Sequence, residues 1–377
     1  MSDFSSRLIR WHTQHGRHNL PWQNADAYRI WLSEIMLQQT QVATVIPYYQ
    51  RFLASFPTIS ALASAAIDDV LAHWSGLGYY ARGRNLHRAA RVIAEKFDGI
   101  FPREYEYIIE LPGIGRSTAA AICALAFHER RAILDGNVKR VLARYCGIRG
   151  SPIEKKIEVQ LWHQAENLLP LSSALSIRLQ DAGSSGAQEA QGFDRWYTEG
   201  KLASSDIAVY TQALMDMGAT ICTRGKPKCL VCPVQSDCVA FLSNCVAELP
   251  TARLRKVLPE KNTTFILLLH GNETLLEKRA SHGIWGGLWC LPQLENGQGM
   301  VEEYVSGCGM VVKERKDLSA FTHTFTHFKL HISPVLLKVE SKPQRVQELG
   351  SVWMNVEEAL NAAIPAPVRR LLQELYL

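Results

Sequence analysis

Four cysteines fall within seventeen residues of the chain, in CTRGKPKCLVCPVQSDC, with the spacing C-x6-C-x2-C-x5-C. They are Cys222, Cys229, Cys232 and Cys238. Thiolates this close together repel one another unless a cation holds them, and sets of four cysteines bind either Zn²⁺ or an iron–sulfur cluster. Zinc sites usually pair two short knuckles across a longer loop, and this stretch has one short knuckle. The spacing therefore favours a [4Fe–4S] cluster over zinc, and either of them over four unrelated buried thiols.

A second stretch suited to chemistry is LPGIGRSTAAAI, which runs from Leu111 to Ile122. Gly113 and Gly115 permit positive φ and a close approach to the backbone. The first amides of the helix that follows have no partner within the helix, so the turn suits an anion such as a DNA phosphate, and Ser117 stands just inside that helix. A corner between two helices that binds nothing fits the turn alone equally well.

Length and composition indicate a globular protein of more than one domain. The 377 residues exceed the roughly 250 to 300 beyond which a single core stops growing. Hydrophobic residues make up 47% of the chain and charged residues 20%, and no apolar run approaches the ~18 residues that a membrane span needs. The first residues lack the features of a signal peptide, so we expect a cytoplasmic protein that binds no membrane. In that compartment the nine cysteines are not expected to form a disulfide framework.

Positive charge is concentrated in one region. The chain carries a formal net charge of +5, and residues 82–149 hold 13 Lys and Arg against 7 Asp and Glu. A basic region fits a polyanionic partner, although a solvated face without a ligand fits as well.

The pattern of apolar residues divides the chain into a helical part and a mixed part. Apolar spacings of three and four from Ala25 to about Asn244 predict helices, apart from a segment rich in Ser, Gly and Ala at 172–205, which we interpret as an insertion. A linker is predicted at 246–263. Beyond it, strands are predicted at 265–270, 274–279 and 331–340, and helices at 356–363 and 365–376.

These motifs together resemble those of a known family. LPGIGRST, then ILDGNVKRV at Ile133–Val141, then the four-cysteine loop are similar to the helix-hairpin-helix DNA glycosylases related to endonuclease III. Within them, WLSEIMLQQTQV at Trp31–Val42 and GLGYYARGRNL at Gly76–Leu86 resemble the adenine DNA glycosylases of the MutY family. The resemblance implies a multi-domain protein: an all-α glycosylase domain at 1–245, with six-helix and iron–sulfur subdomains, and an α+β Nudix-like domain at 264–377.

Excision of a base breaks a glycosidic bond, which calls for an acid to protonate the leaving base and a carboxylate to stabilise the sugar cation. Glu34 shares a helix face with Gln38 and Gln41 and has aromatic and apolar neighbours, so its pKa could be raised. The helix alone favours an exposed glutamate instead. The resemblance assigns to Glu34 the role of general acid and activator of water.

The second carboxylate is Asp135, which precedes a helix that begins near Gly136. By itself Asp135 is predicted to cap that helix, and the helix N-terminus favours the ionised carboxylate. The resemblance implies that Asp135 also stabilises the oxocarbenium ion or bonds to it briefly. Asn137, two residues on, is predicted to orient the water or the sugar.

A base that is flipped out of DNA leaves a gap in the stack that a side chain must fill. The resemblance implies that Gln38 and Tyr79 fill it. A packed aromatic residue is the alternative for Tyr79. The turn residues Leu111, Gly113, Gly115 and Ser117 are the other predicted DNA contacts.

The C-terminal part resembles the Nudix-like domain that checks for 8-oxoguanine opposite the adenine. It lacks the REUxEE helix of a Nudix hydrolase. The residues that match the family's recognition loop are Phe325, Thr326 and His327, with threonine where serine is usual. On pattern alone these residues also fit a β-strand with alternating polar and aromatic side chains.

Three functions remain open from the sequence. The first is a monofunctional adenine glycosylase that binds double-stranded DNA with 8-oxoguanine·A or G·A mispairs and acts as a monomer at the bacterial nucleoid. The second is a glycosylase of oxidised pyrimidines that also cuts the strand, and such enzymes resemble this chain but carry lysine where Ser117 stands. The third is a DNA-binding damage sensor whose cluster serves structure or electron transfer.

Overall fold

The computed structural model describes residues 3–170, 205–252, 257–295, 300–342 and 350–376. They form two compact units, one of Met1–Gln50 with Val92–Leu254 and one of Arg51–Arg91 with Arg255–Leu377. The segment expected as an insertion, 172–205, lies outside the described residues except for its last one. No helix within the described ranges is long and apolar enough to cross a bilayer.

The part of the chain that precedes the predicted linker is helical, as expected, and its described residues 25–170 and 205–244 contain no strand. Side chains that accept from backbone amides begin α2, α4 and α9, and these N-caps are Asp26, Thr58 and Asp135. The helices are α1 Asp3–His15, α2 Ala27–Leu37, α3 Val42–Ser55, α4 Ile59–Ser64, α5 Ile67–Trp74, α6 Ala81–Lys96, α7 Tyr105–Glu110, α8 Arg116–Phe127, α9 Gly136–Tyr145, α10 Lys155–Asn167, α11 Ser205–Thr220 and α12 Val239–Leu242.

The first unit is built around α11, which packs against α1, α8 and α9. Its core joins Tyr210 and Leu214 of α11 to Val138 and Leu142 of α9 and to Leu8 of α1, all of them buried. Because Asp135 caps α9, this core fixes the position of that carboxyl group.

The second unit contains a mixed sheet of eight strands in the order β3-β2-β1-β7-β5, with β4 on β1, β6 on β7 and β8 on β2. β1 runs parallel to β7, and the other pairs are antiparallel. The strands are β1 Glu260–His270, β2 Glu273–Lys278, β3 Trp289–Cys290, β4 Gln293–Glu295, β5 Val312–Asp317, β6 Phe321–Thr324, β7 Lys329–Val339 and β8 Ser351–Asn355. The predicted hairpin and the later strand are confirmed, and β1 begins at Glu260, within the range expected as a linker.

Helices cover both faces of this sheet: α13 Met300–Gly307, α14 Val356–Asn361 and α15 Ala366–Tyr376. Side chains alternate along β1, so that Phe265 packs in the core with α14 and α15, whereas Ile266 packs with Val301 and Val305 of α13. Leu71 of α5 belongs to the same core as Phe265. Residues 51–91, which the sequence groups with the helical domain, therefore pack within the second unit.

Candidate active site

Glu34 lies on α2 between the buried residues Trp31 and Ile35. The residue keeps some solvent exposure, but the surrounding protein desolvates its carboxyl group. Desolvation, and after it the negative charge of Asp135, raise the pKa of Glu34 to about 7. Glu34 therefore holds a proton close to neutral pH, as an acid catalyst requires.

Asp135 caps α9, and its Oδ1 accepts a hydrogen bond from the Val138 amide at 2.7 Å. The Asn137 side-chain amide lies 3.4 Å from its Oδ2. Burial raises the pKa of Asp135, against the opposing effects of the Val138 and Asn137 amides, the Arg140 charge and the Asn137 side chain. The helix N-terminus alone favours the ionised carboxylate, and burial of the carboxyl group opposes that effect.

Glu34 and Asp135 interact electrostatically, and burial raises the pKa of both carboxyl groups. The charge of Asp135 raises the pKa of Glu34, whereas the groups that act on Asp135 are its hydrogen-bond donors and Arg140. The donors around Asp135 favour its ionised form, and no comparable donor is among the causes that act on Glu34. A protonated acid beside an ionised carboxylate is the pair that glycosidic cleavage needs.

Asn137 is held from two sides. Its Oδ1 accepts from Arg140 Nη2 at 2.8 Å. On the other side, a Cβ at Gly218 of α11 would lie only 2.6 Å from the Asn137 Cβ. Only glycine at this point lets α11 approach α9 so closely, and no local pattern in the sequence predicts this contact.

The glycine turn joins α7 to α8. Gly113 has φ +84, which glycine adopts without strain, and both Gly113 and Gly115 are exposed. Leu111 is buried, its amide bonds to Ile108 O at 3.2 Å, and its carbonyl accepts from Ile114. Leu111 therefore shapes the turn, while the glycines leave the backbone open to a ligand.

Ser117 contacts the candidate active site from α8. Its Oγ accepts a hydrogen bond from the Leu134 amide at 2.9 Å, next to Asp135 in the chain. A protonated lysine at this position has no lone pair to accept that amide. The hydroxyl therefore anchors the segment that carries Asp135.

The two residues predicted to fill the gap left by the flipped base belong to different units. Gln38 follows α2 in the first unit, and its Nε2 lies 3.4 Å from Thr118 Oγ1. Tyr79 lies in the second unit, has φ +50 and is 42% exposed. Its ring lies 5.4 Å from the Arg82 guanidinium carbon. The Tyr79 ring is thus partly exposed to solvent rather than fully packed. Its backbone has a conformation that is costly for tyrosine.

The four clustered cysteines line one cavity of about 30 Å³, together with Arg144. Burial and neighbouring thiols raise the pKa of Cys232 to about 11, and burial raises those of Cys229 and Cys238. Arg144 Nη1 lies 3.4 Å from Cys222 Sγ. Across the described ranges, no three His, Cys, Asp or Glu side chains are close enough together to hold one ion.

Phe325, Thr326 and His327 form a turn between β6 and β7 rather than part of a strand. The Phe325 amide bonds to Phe328 O at 2.9 Å, and the Phe325 ring stacks on that of Phe328 at 4.5 Å. Thr326 and His327 are exposed at the tip. The turn therefore offers one hydroxyl and one imidazole on an aromatic base.

One buried ion pair is not predicted from the sequence. Asp216 of α11 is 1% exposed and accepts from the Arg17 amide and guanidinium, each at 2.9 Å. Burial alone would raise the pKa of Asp216, but hydrogen bonds from His12 and Arg17 outweigh it and lower that pKa to about 2. An aspartate within an apolar helix was the only signal in the sequence.

Two family models match the chain. Residues 32–167 match the model described as HhH-GPD superfamily base excision DNA repair protein, and residues 263–374 match that of the NUDIX domain. The two matches agree with the expected helical domain followed by an α+β domain.

Proteins of known function are similar to the chain over nearly its full length. It is 37% identical to the adenine DNA glycosylase of Buchnera aphidicola subsp. Acyrthosiphon pisum, over 98% of this chain and 97% of that protein. It is 30% identical to the adenine DNA glycosylase of Mus musculus, over 98% of this chain and 77% of that protein. A solved thermostable thymine-DNA glycosylase covers 64% of this chain and 95% of its own, at 26% identity and a TM-score of 0.49.

Proposed function

The chain belongs to the adenine DNA glycosylase family of base excision repair, and on this premise we propose that it hydrolyses the N-glycosidic bond of adenine mispaired with 8-oxoguanine or guanine. The observation that carries this proposal is the coupled pair of Glu34 and Asp135. We propose that Glu34 keeps its proton while Asp135, which accepts the Val138 amide, is ionised, as an acid and a stabilising anion require.

In the proposed reaction, Glu34 donates its proton to N7 of the flipped adenine, which leaves as a neutral base when the bond to C1′ breaks. The Asp135 carboxylate stabilises the oxocarbenium ion or bonds to C1′ briefly. The Glu34 carboxylate then takes a proton from water as the water attacks C1′, which restores the acid. Asn137 is proposed to orient the water or the sugar, and its hydrogen bonds to Asp135 and Arg140 support this role.

We propose that strand cleavage through a Schiff base is not part of the reaction. Lyases of this type carry an amine at the position of Ser117. The Ser117 hydroxyl instead accepts a hydrogen bond from the Leu134 amide. No amine is supplied there, and water is the remaining nucleophile.

The rate of adenine release is expected to follow a bell-shaped pH profile. Glu34, whose pKa is raised to about 7, must be protonated, so the rate should fall about tenfold per pH unit above that value. At low pH it should fall again as Asp135 takes up a proton. Single-turnover rates between pH 5 and 9, with DNA binding measured in parallel, check this. A rate that stays constant to pH 9 would exclude Glu34 as the acid.

Specificity for the opposite base is proposed to come from Phe325, Thr326 and His327. The exposed Thr326 hydroxyl and His327 imidazole can each exchange hydrogen bonds with an oxidised purine. A panel of duplexes with adenine opposite 8-oxoguanine, guanine, cytosine or thymine tests this. We expect the fastest release opposite 8-oxoguanine, slower release opposite guanine and none opposite thymine. Equal rates across the panel would refute the specificity.

The four cysteines are proposed to hold a [4Fe–4S] cluster. All four thiols surround one cavity. Their spacing has one short knuckle where zinc sites usually pair two, which favours the cluster over a single ion. Cys222, Cys229, Cys232 and Cys238 would hold the cluster and would be cross-linked by it, so that the backbone between them would present Arg224, Lys226 and Lys228 to DNA phosphates.

Replacing Cys232 with serine is expected to lower the iron and inorganic sulfide content of the purified protein, because a hard hydroxyl is a poor ligand for iron–sulfur iron. Cys308→Ser is the matched control, since Cys308 is partly buried in the second unit, outside the proposed ligand set. Metal and sulfide analysis of both variants and the unchanged chain checks this. Zinc without sulfide in the unchanged chain would contradict the cluster.

A further inference from the structure

Arg84 of α6 ties the segment that follows Tyr79 to a loop of the C-terminal sheet. Its Nη1 donates to the Gly286 carbonyl at 2.6 Å. Nearby, Ser75 Oγ donates to Ile364 O at 2.7 Å, and Asp68 accepts from Lys278 and from Trp289. Residues 51–91 and the C-terminal sheet belong to one compact unit, and these bonds fix the helices in place.

The loop whose carbonyl accepts the Arg84 hydrogen bond is conformationally restricted. A Cβ at Gly286 would lie 2.6 Å from Ser281 O, and Gly287 has φ +76. Trp285, just before them, has φ +56, a conformation that non-glycine residues adopt at a cost. The Gly287 amide also bonds to the Arg279 and Ala280 carbonyls, so the hydrogen bond from Arg84 adds a side-chain contact to a loop that is already tightly folded.

The side chain of that strained residue supports the turn that carries Phe325, Thr326 and His327. Trp285 is 6% exposed, and its ring centre lies 5.4 Å from that of Phe325 and 5.7 Å from that of His323. His323 in turn lies 4.7 Å from Phe325, edge to face. A shift of Trp285 must move Phe325, because packed aromatic rings leave no free space between them.

We propose that Arg84 is a positioning residue for recognition of the base opposite the adenine. It acts through the Gly286 carbonyl and the Trp285 ring on Phe325, and so sets where Thr326 and His327 stand. This inference rests on the proposed function of the turn. The exposed Tyr79 and the turn belong to the same compact unit. Both would therefore approach the DNA together.

The test compares Arg84→Met, which keeps the side-chain stem but removes the donors, with Arg84→Lys, which keeps a charge and a donor. For Arg84→Met we expect the ratio of single-turnover rates on 8-oxoguanine·A over G·A to fall about tenfold, the order expected for loss of a charged hydrogen bond. The rate on G·A should stay within about twofold. Arg84→Lys should recover a large part of the ratio.

Two further measurements separate positioning from other roles. In Arg84→Met combined with Phe325→Ala, the ratio should be no lower than in Phe325→Ala alone, because both changes act on one element. Amide hydrogen exchange should quicken in 283–288 and at Phe325 of Arg84→Met but not in β2. If both rates fall by the same factor together with DNA affinity, Arg84 is a phosphate contact and the proposal fails.

The proposal also fails if Arg84→Met changes neither the ratio of the two rates nor the amide hydrogen exchange. Failure of the proposed function has a different signature, which is an unchanged chain that does not distinguish 8-oxoguanine·A from G·A. In that case the exchange measurement alone decides whether Arg84 positions the turn.

Discussion

Glu34→Gln is expected to lower the single-turnover rate of adenine release by about 10²- to 10⁴-fold, the usual contribution of a general acid. Glutamine has nearly the same shape but no proton to transfer, and the raised pKa of Glu34, about 7, makes that proton available. Equilibrium binding to a duplex with 8-oxoguanine·A should be retained, because the variant removes no positive charge. Both quantities can be measured on one preparation, by quenched-flow kinetics and by fluorescence anisotropy.

The matched control is Glu106→Gln, which changes an exposed carboxyl group in the first turn of α7. It should release adenine at the unchanged rate to within about twofold. Full activity in Glu34→Gln would remove this residue from the mechanism. Loss of DNA binding along with activity would point to a folding or binding defect instead.

Asp135→Asn is expected to lower the rate by about 10²-fold or more, the order seen when one charge-stabilising group of an active site is lost. Asparagine caps helices as well as aspartate does, so the bond to the Val138 amide and the stability of α9 should persist. The variant therefore separates the charge of this residue from its role as a cap. Single-turnover rates and thermal unfolding on the same protein measure the two effects.

Asp135→Ala completes the comparison, because it removes both the charge and the cap. It should lose the same activity and also about 1 kcal/mol of stability. If Asp135→Asn were nearly fully active while Asp135→Ala was not, Asp135 would be a helix cap alone.

Local patterns account for much of what could be predicted. The spacing of four cysteines brings them around one cavity, and the position of Asp135 before a helix makes it an N-cap. The hairpin at residues 265–279 follows from alternating apolar residues around a glycine turn. Each of these features is encoded within about twenty residues of sequence.

Non-local contacts account for what could not be predicted. Burial raises the pKa of Asp135, and the core around its helix α9 includes residues of α1 and α11, which are distant in sequence. The partners of Asp216 lie about 200 residues away, as do those of Arg84. The periodicity of apolar residues shows which face of a helix is apolar but not which element covers that face. The packing of residues 51–91 within the second unit could therefore not be predicted from the sequence.

We expect this glycosylase to release adenine by hydrolysis alone. This expectation is tested most directly by a single-turnover reaction on an 8-oxoguanine·A duplex labelled in the adenine strand, with each time point divided between alkaline and neutral work-up. Hydrolysis predicts a strand break that grows with time only after alkali, together with free adenine and no complex trapped by borohydride. A break of equal size without alkali, or tight binding with no release of adenine, would contradict the claim.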